Sequence, residues 1–166
     1  MSVPAPVVAY EVSRLVDGIV DKLLFAVRSW FFDSAYVPVT TDAFNDVLER
    51  WRRNILPRLR YRYEIFDCDD FARYFASWAG LKTGTNAFGI AIGIVETPSG
   101  SYGHAWNVVL VGSSGGQILV TMVEPQLGAV IPVATKVLDV REPIVVRRRR
   151  SIGNATVRYR LKAVVW

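Results

Sequence analysis

The order of hydrophobic and polar positions divides the chain into a helical first part and a strand-rich second part. Apolar residues recur at helical spacing in three stretches, at about 9–31, 42–56 and 68–80. After Gly84 the period changes to two, which predicts β-strands. The predicted strands lie at 87–94, 102–111, 117–124, 129–134, 138–148 and 156–165.

Three helices followed by a run of strands indicate the α+β class, with N-terminal helices ahead of an antiparallel sheet. A chain of 166 residues is most simply one domain. We divide it into a helical part at 1–60, a central part at 61–127 and basic strands at 128–166. In the first strand, bulky Phe88 and Ile90 alternate with Gly89 and Gly93, and the small face predicts a close approach of the third helix.

The composition of the chain excludes several classes of protein. A hydrophobic fraction of 51% excludes a disordered chain. No apolar run reaches the roughly 18 residues that a membrane-spanning helix needs. The N-terminus lacks a basic segment followed by an apolar core, so we expect no signal peptide and a cytoplasmic location. A single cysteine excludes an internal disulfide.

The basic excess is concentrated near the C-terminus. The formal net charge is +5, and four consecutive arginines occur at Arg147, Arg148, Arg149 and Arg150. Such a cluster can bind nucleic acid or an acidic partner protein. It is also typical of a solvated strand edge that prevents aggregation. Abundant arginine with few glutamines is, in addition, a weak sign of a thermophilic source.

The only cysteine opens the third predicted helix. Asp67 is a natural N-cap, and Asp69 and Asp70 lie in the first turn, where carboxylates suit the helix dipole. Unpaired backbone N–H groups at this position favour a thiolate and can bind an oxyanion. Because the aspartates oppose the thiolate, a cationic partner is needed, and the chain has one histidine, His104.

A hairpin register brings an acidic residue to that histidine. If the turn at 112–116 is symmetric about Ser114, His104 lies directly opposite Glu124 and on the same face. A carboxylate there would orient the imidazole, as the third member of a catalytic triad does. A register slip of one residue would separate the two side chains. Each residue also has a purely structural interpretation. Cys68 would be a buried thiol, His104 a hydrogen-bonded histidine within a strand, and Glu124 the end of a strand.

These residues carry a resemblance to a known group of enzymes. The sequence Asp-Cys-Asp-Asp-Phe-Ala at 67–72, His-Ala-Trp-Asn at 104–107 and Glu-Pro at 124–125 resembles papain-like and transglutaminase-like cysteine enzymes. It is most similar to the papain-like peptidase domain of fungal chimeric lectins. The resemblance covers about 61–127. It departs from the transglutaminase-like pattern at Asp67, where glycine is usual, and at Glu124, where aspartate is more frequent.

The resemblance implies a papain-like core and a cysteine peptidase, amidase or transglutaminase. Cys68, His104 and Glu124 would catalyse acyl transfer, most simply hydrolysis of a peptide or amide bond in a protein substrate. Asn107 or Tyr102 would complete an oxyanion hole, and Trp106, Tyr102 and Tyr63 would line the substrate site. No cofactor is required. Calcium dependence in the related peptidases makes Asp69 and Asp70 candidate oxygen ligands.

Two other classes stay open. A non-catalytic module would bind nucleic acid or an acidic partner through its arginine-rich strands, with binding that weakens steeply in salt. A metal site would combine Asp69, Asp70, His104 and Glu124, and a chelator would then abolish activity or stability.

Overall fold

The fold is described from a computed structural model that covers residues 2–113, 115–147 and 150–166, with the side chain of Arg147 also left aside. The helices are α1 (Ala5–Ser13), α2 (Ile19–Arg28), α3 (Thr41–Arg50), a π-helical turn (Trp51–Ile55), a 3₁₀ turn (Leu56–Arg58) and α4 (Cys68–Thr83). The strands are β1 (Val3–Pro4), β2 (Ala35–Tyr36), β3 (Val39–Thr40), β4 (Phe88–Thr97), β5 (Gly100–Gly112), β6 (Ile118–Glu124), β7 (Ala129–Ile131), β8 (Val137–Val140), β9 (Ile144–Arg147), β10 (Arg150–Ile152) and β11 (Ala155–Val165).

One sheet of seven strands dominates the described residues. Six of its strands follow the order β7-β6-β5-β4-β11-β8, and β3 adds to β5. All of these pairs are antiparallel except β3 with β5, which is parallel. The long strands β4, β5 and β11 therefore form the centre, where both faces of β5 are buried from His104 to Val111. Two small ribbons, β1-β2 and β9-β10, lie outside this sheet.

The predicted helix-first α+β layout is wrong. Strand β1 precedes the first helix, and β2 and β3 lie between helices, with β3 contributing to the main sheet through Val39. Strands also occupy more of the described residues than helices do. The early strands have two residues each, too short to show the alternation that identifies a strand in sequence.

The single helix predicted at about 9–31 is two helices. Gly18 has a φ of 77°, a left-handed value that glycine adopts readily and that interrupts the helix. Leu15 and Val16 are buried in the connection between α1 and α2. The apolar stripe of this region is consequently divided, and only Phe25 of α2 is buried in the core.

Helix α4 begins where the sequence predicts. Asp67 is its N-cap, and the Asp70 carboxylate accepts the Asp67 backbone N–H at 3.1 Å, one half of a capping box. Gly84 ends the helix with a left-handed φ of 66°. The face that α4 places on the sheet carries Phe71, Ala72, Phe75 and Ala79, all buried.

The nearest neighbours of Gly89 and Gly93 on β4 are the backbone of β11 and two indole rings, and the cysteine-bearing helix is not among them. A Cβ atom at Gly93 would lie 2.1 Å from the Arg160 carbonyl oxygen and 2.6 Å from the Trp106 ring, and one at Gly89 would lie 2.6 Å from the Trp166 ring. Helix α4 contacts β4 through Phe75, which meets Phe88 edge-on at 6.0 Å. The glycines thus admit large aromatic side chains into the core.

None of the described helices is long and apolar enough to cross a membrane.

Candidate functional site

A histidine and a glutamate form a pair inside the main sheet. His104 Nε2 lies 2.7 Å from Glu124 Oε2, and both side chains have no solvent exposure. His104 comes from the first half of β5, and Glu124 is the last residue of β6. A buried charged pair is rare and costly unless its remaining polar atoms find partners, so it marks this part of the sheet as a candidate site.

The predicted register of this hairpin is wrong by two positions. Strand β5 pairs Asn107 with Val123 and Gly112 with Ile118, so the hairpin centres on residue 115 and not on Ser114. Extending this register places Glu124 opposite Trp106. His104 is therefore a diagonal neighbour of Glu124 on the same face, a relation within reach of long side chains. An even slip preserves the face, which is why the two groups still meet.

Two further groups hold the carboxylate of Glu124. The Tyr159 hydroxyl donates to Oε2 at 3.0 Å, and the Gln126 backbone N–H donates to Oε1 at 3.1 Å. Tyr159 is fully buried on β11, and burial followed by the charge of Glu124 raises its pKa well above the usual range. With His104, the glutamate accepts from three donors, which compensates the cost of burying its charge.

The environment of His104 favours the charged imidazolium. Burial lowers the pKa of this imidazole, but the charge of Glu124 and hydrogen bonding with Cys68 and Glu124 outweigh burial and raise the pKa to about 10. An ordinary histidine titrates near 6.5. A pKa of about 10 favours the imidazolium form of His104 at neutral pH.

Cys68 acts on the same imidazole from the start of α4. The thiol is half-buried and belongs to no disulfide. Hydrogen bonding and charge at Cys68 both contribute to the raised pKa of His104. The second ring nitrogen, Nδ1, is buried and has no partner of strict hydrogen-bond geometry in the part of the chain that is described. With Nε2 held by Glu124, Nδ1 is the nitrogen left to serve the thiol.

The acidic residues around Cys68 pair mainly with one arginine. Arg73 contacts Asp69 at 2.6 Å and Asp70 at 3.5 Å. A hydrogen bond with Asp67 and partial burial raise the pKa of Asp69. Ligand atoms of Asp67, Cys68 and Asp69 lie within 4.8 Å of one another. The expected calcium ligands Asp69 and Asp70 thus have a protein cation, and calcium binding there stays a prediction.

The remaining predicted site residues divide into buried and surface groups. The Asn107 amide donates to the Ala72 and Gly89 carbonyls at 2.8 and 3.1 Å, and its carbonyl is buried. Trp106 is buried and meets Tyr159 edge-on at 5.2 Å. Tyr63 and Tyr102 reach solvent. Asn107 therefore ties β5 to α4 and β4, and its role as an oxyanion donor stays untested.

The ribbon β9-β10 is held beside this site by contacts that sequence reasoning missed. Gln126 donates to the Val145 carbonyl at 2.9 Å and accepts the Val145 N–H at 2.8 Å. Arg150 lies over the Tyr102 ring at 5.5 Å from its centroid. Of the predicted arginine cluster, Arg148 and Arg149 lie outside the described residues. Tyr159 was also missed, because its partner Glu124 is 35 positions away and only the strand order brings them together.

A surface groove lies next to the cysteine and under this ribbon. Its volume is about 600 Å³, and its lining consists of Tyr61, Arg62, Tyr63, Ile65, Val145 and Ser151. Tyr61 lies within electrostatic reach of the start of α4, because burial and then the charges of Asp67 and Cys68 raise its pKa to about 12. The groove thus offers aromatic rings, a guanidinium and a hydroxyl around one opening.

Comparison with known families identifies the chain. A family model described as Agglutinin C-terminal matches residues 36–130, more than half of the sequence. The chain belongs to the Agglutinin C-terminal family. The match spans β2 to β7 and includes Cys68, His104 and Glu124. A search of curated proteins finds no match.

Two similar solved structures support the fold. PSL1a in complex with E64 has a TM-score of 0.53 and 21% identity, over 99% of this chain and 51% of that chain. Polyporus squamosus lectin bound to the human-type influenza-binding epitope Neu5Aca2-6Galb1-4GlcNAc has a TM-score of 0.51 and 22% identity, over 95% of this chain and 48% of that chain. The chain therefore spans about half the length of these structures.

The comparisons correct the expected identity. The matching family is an agglutinin family and one similar structure is a lectin, so the resemblance to papain-like and transglutaminase-like enzymes is wrong as an assignment. The predictions of a hydrolase or cysteine peptidase, and of an enzyme in general, are corrected with it, because lectins are binding proteins. The expected peptide substrate and nucleic-acid partner are corrected too: the ligand named with the Polyporus lectin is a glycan.

Proposed function

We propose that this chain is a binding domain of the agglutinin type and that its ligand is a carbohydrate. The observation that carries the proposal is membership of the Agglutinin C-terminal family. The similar Polyporus lectin was solved with a sialylated epitope, which supports the same class of ligand. Because this chain covers about half of that lectin, the proposal concerns this chain's own surface and needs its own test.

The groove beside Cys68 is the proposed binding site. Tyrosine rings such as those of Tyr61 and Tyr63 offer apolar faces with a polar edge, which suits the mixed surface of a sugar ring. Arg62 adds a planar cation that can bind a carboxylate with two hydrogen bonds, and sialic acid carries such a carboxylate. A concave site with a few polar groups among apolar ones is the usual form of a small-ligand site.

Titration of the chain with the trisaccharide Neu5Aca2-6Galb1-4GlcNAc, followed by calorimetry or NMR, tests the proposal. We expect saturable binding that Arg62→Ala and Tyr63→Ala each weaken at least tenfold. Arg53→Ala and Tyr10→Ala are matched controls, because both residues are exposed on other elements. Absence of saturation at millimolar glycan, or equal losses in the control variants, would contradict glycan binding in the groove.

A second proposal concerns Cys68, His104 and Glu124, which we propose act together as a reactive-thiol centre. Its support is the 2.7 Å contact between His104 Nε2 and Glu124 Oε2, together with the raised pKa of His104, to which both Glu124 and Cys68 contribute. An imidazolium beside a thiol stabilises the thiolate, the form that reacts with electrophiles. Glu124 would act through His104 by holding the imidazole in place. Tyr63 and Tyr102 remain proposed contacts for a molecule that reaches Cys68 from solvent.

Alkylation by iodoacetamide measures this reactivity without assuming a ligand. The Cys68 thiolate forms an S–C bond and releases iodide, so mass spectrometry of the single cysteine gives the rate. We expect the rate at pH 7 to fall at least tenfold in His104→Gln and less in Glu124→Gln. Tyr10→Phe is the control and keeps the native rate. Equal rates in all variants would refute the centre while leaving the glycan proposal intact.

A further inference from the structure

Helix α2 turns its apolar face to solvent. Ile19 is 78% exposed, Leu23 68% and Val27 78%, whereas Phe25 on the opposite side is 2% exposed. At 100° per residue the exposed apolar positions of α2 span an arc of roughly 140°. An amphipathic helix of a globular domain normally buries such an arc against the core. In α2 the apolar arc faces solvent instead.

Aromatic side chains continue this surface after the helix. Trp30 is 59% exposed and Phe32 is 77% exposed, and backbone hydrogen bonds from both residues to β11 and Trp166 hold their segment in place. We call the whole surface the α2 face: Ile19, Val20, Leu23, Leu24, Val27, Trp30 and Phe32. A large exposed apolar patch is typical of a site that contacts another protein or a membrane.

Around the α2 face the acidic side chains have partners within the protein, whereas two basic side chains lack a close acidic partner in the described part of the chain. Asp21 is held by Lys162 at 2.6 Å and by Arg160 at 3.7 Å, and Asp17 is paired with Lys136. Asp33, next to Phe32, accepts the Asn86 amide at 2.8 Å. Neither Lys22 nor Arg28 forms an ion pair within 4.0 Å of a described acid, although the charge of Arg28 helps to lower the pKa of Asp21 after the hydrogen bond and charge of Lys162 and the charge of Arg160. The nearby acids are thus engaged by the protein, while two exposed cations flank the apolar arc.

We propose that the α2 face binds the surface of an anionic lipid bilayer. Leucine, valine and isoleucine would enter the boundary between headgroups and acyl chains, with Trp30 at the level of the headgroups. Lys22 and Arg28 would contact lipid phosphates, in keeping with the formal net charge of +5. The helix would lie in the plane of the membrane surface and would not cross it.

Charge favours a bilayer over a second copy of this chain. In a symmetric dimer the same patch faces itself, so Lys22 and Arg28 of two copies would be brought together around the apolar arc. The acids that could pair with them are already bound by Lys162, Arg160, Lys136 and Asn86. A bilayer rich in phosphatidylserine supplies the missing negative charge.

Sedimentation of the full chain with vesicles tests this proposal, which is independent of the groove and of the thiol. We expect binding to vesicles of phosphatidylcholine with 30% phosphatidylserine, and at least tenfold weaker binding to phosphatidylcholine alone. The double variant Leu23→Ser/Val27→Ser should lose at least tenfold in partitioning. Leu81→Ser/Leu119→Ser is the matched control, because these leucines are 83% and 54% exposed elsewhere.

A charge-matched pair of variants completes the test. Lys22→Glu/Arg28→Glu should weaken binding to the anionic vesicles at least tenfold. Arg50→Glu/Arg53→Glu makes the same change in net charge at the end of α3 and in the π-helical turn, and it should weaken binding less than threefold. Equal loss in both pairs, or binding that ignores the phosphatidylserine content, would overturn the proposal. So would a doubled mass in light scattering that Leu23→Ser/Val27→Ser returns to that of a single chain, because the occupant would then be a second copy.

Discussion

The His104–Glu124 pair and the α2 face are opposite departures from the rule that polar groups lie outside and apolar groups inside. The pair places an imidazole and a carboxylate at zero exposure, and the α2 face leaves side chains such as Val27 more than three-quarters exposed. The buried pair is compensated within the protein by Tyr159, Gln126 and Cys68. The α2 face has no such compensation among the described residues, which is why it points to something outside the chain.

The largest expected effect is on the buried side of this comparison. Glu124→Ala removes the acceptor of three donors, His104, Tyr159 and the Gln126 N–H, and leaves an imidazole buried without its counter-ion. We expect urea unfolding at pH 7 to show a loss of about 3–5 kcal/mol, as for other broken buried pairs. Glu96→Ala, which breaks a half-exposed pair with Arg160, is the control, and a loss equal to the control would contradict the account.

A smaller loss is expected from Tyr159→Phe. This change removes one hydrogen bond to the Glu124 carboxylate and keeps the ring that packs against Trp106. A hydrogen bond to a charged group is worth about 1.5–3 kcal/mol, and urea unfolding should show a loss in that range. Tyr10→Phe, at an exposed position, should leave the free energy of unfolding unchanged. No loss in Tyr159→Phe would mean that the carboxylate is satisfied without Tyr159.

The smallest effect on stability is expected on the exposed side. Val27→Ser changes a side chain that the folded protein leaves in solvent, so we expect the free energy of unfolding to change by less than about 0.5 kcal/mol. Phe25→Ser on the buried side of the same helix is the contrast and should destabilise strongly. A large loss in Val27→Ser would show that the α2 face is covered by the protein itself.

How much the sequence predicts depends on whether the signal is local. The start of α4 follows from Asp67, Asp70 and the apolar spacing after them, all within one turn or two of each other. The contact between His104 and Glu124 was predicted with the wrong register. The sequence does not fix the centre of a five-residue turn to better than one position, and moving the centre by one residue shifts every strand pairing by two residues.

Contacts between residues far apart in the chain could not be predicted from the sequence. Tyr159 reaches Glu124 because β11 returns to the middle of the sheet beside β4, and nothing near Tyr159 in the sequence indicates that strand order. The two-residue strands β2 and β3 carry no periodic signal. The outward orientation of α2 does not follow from its apolar pattern, which is the same as that of a helix packed on the core.

NMR titration of the one imidazole in the chain tests the central claim most directly. His104 should remain an imidazolium and give a constant ring signal from pH 5 to about 8.5, because its pKa is raised to about 10. A raised folded-state pKa stabilises the fold fully below the unfolded value near 6.5, and that stability is lost as pH rises toward 10. The free energy of unfolding should accordingly decline over this window, less steeply in Glu124→Gln. A ring signal that titrates between pH 6 and 7 would contradict the claim that the buried site holds a charged pair.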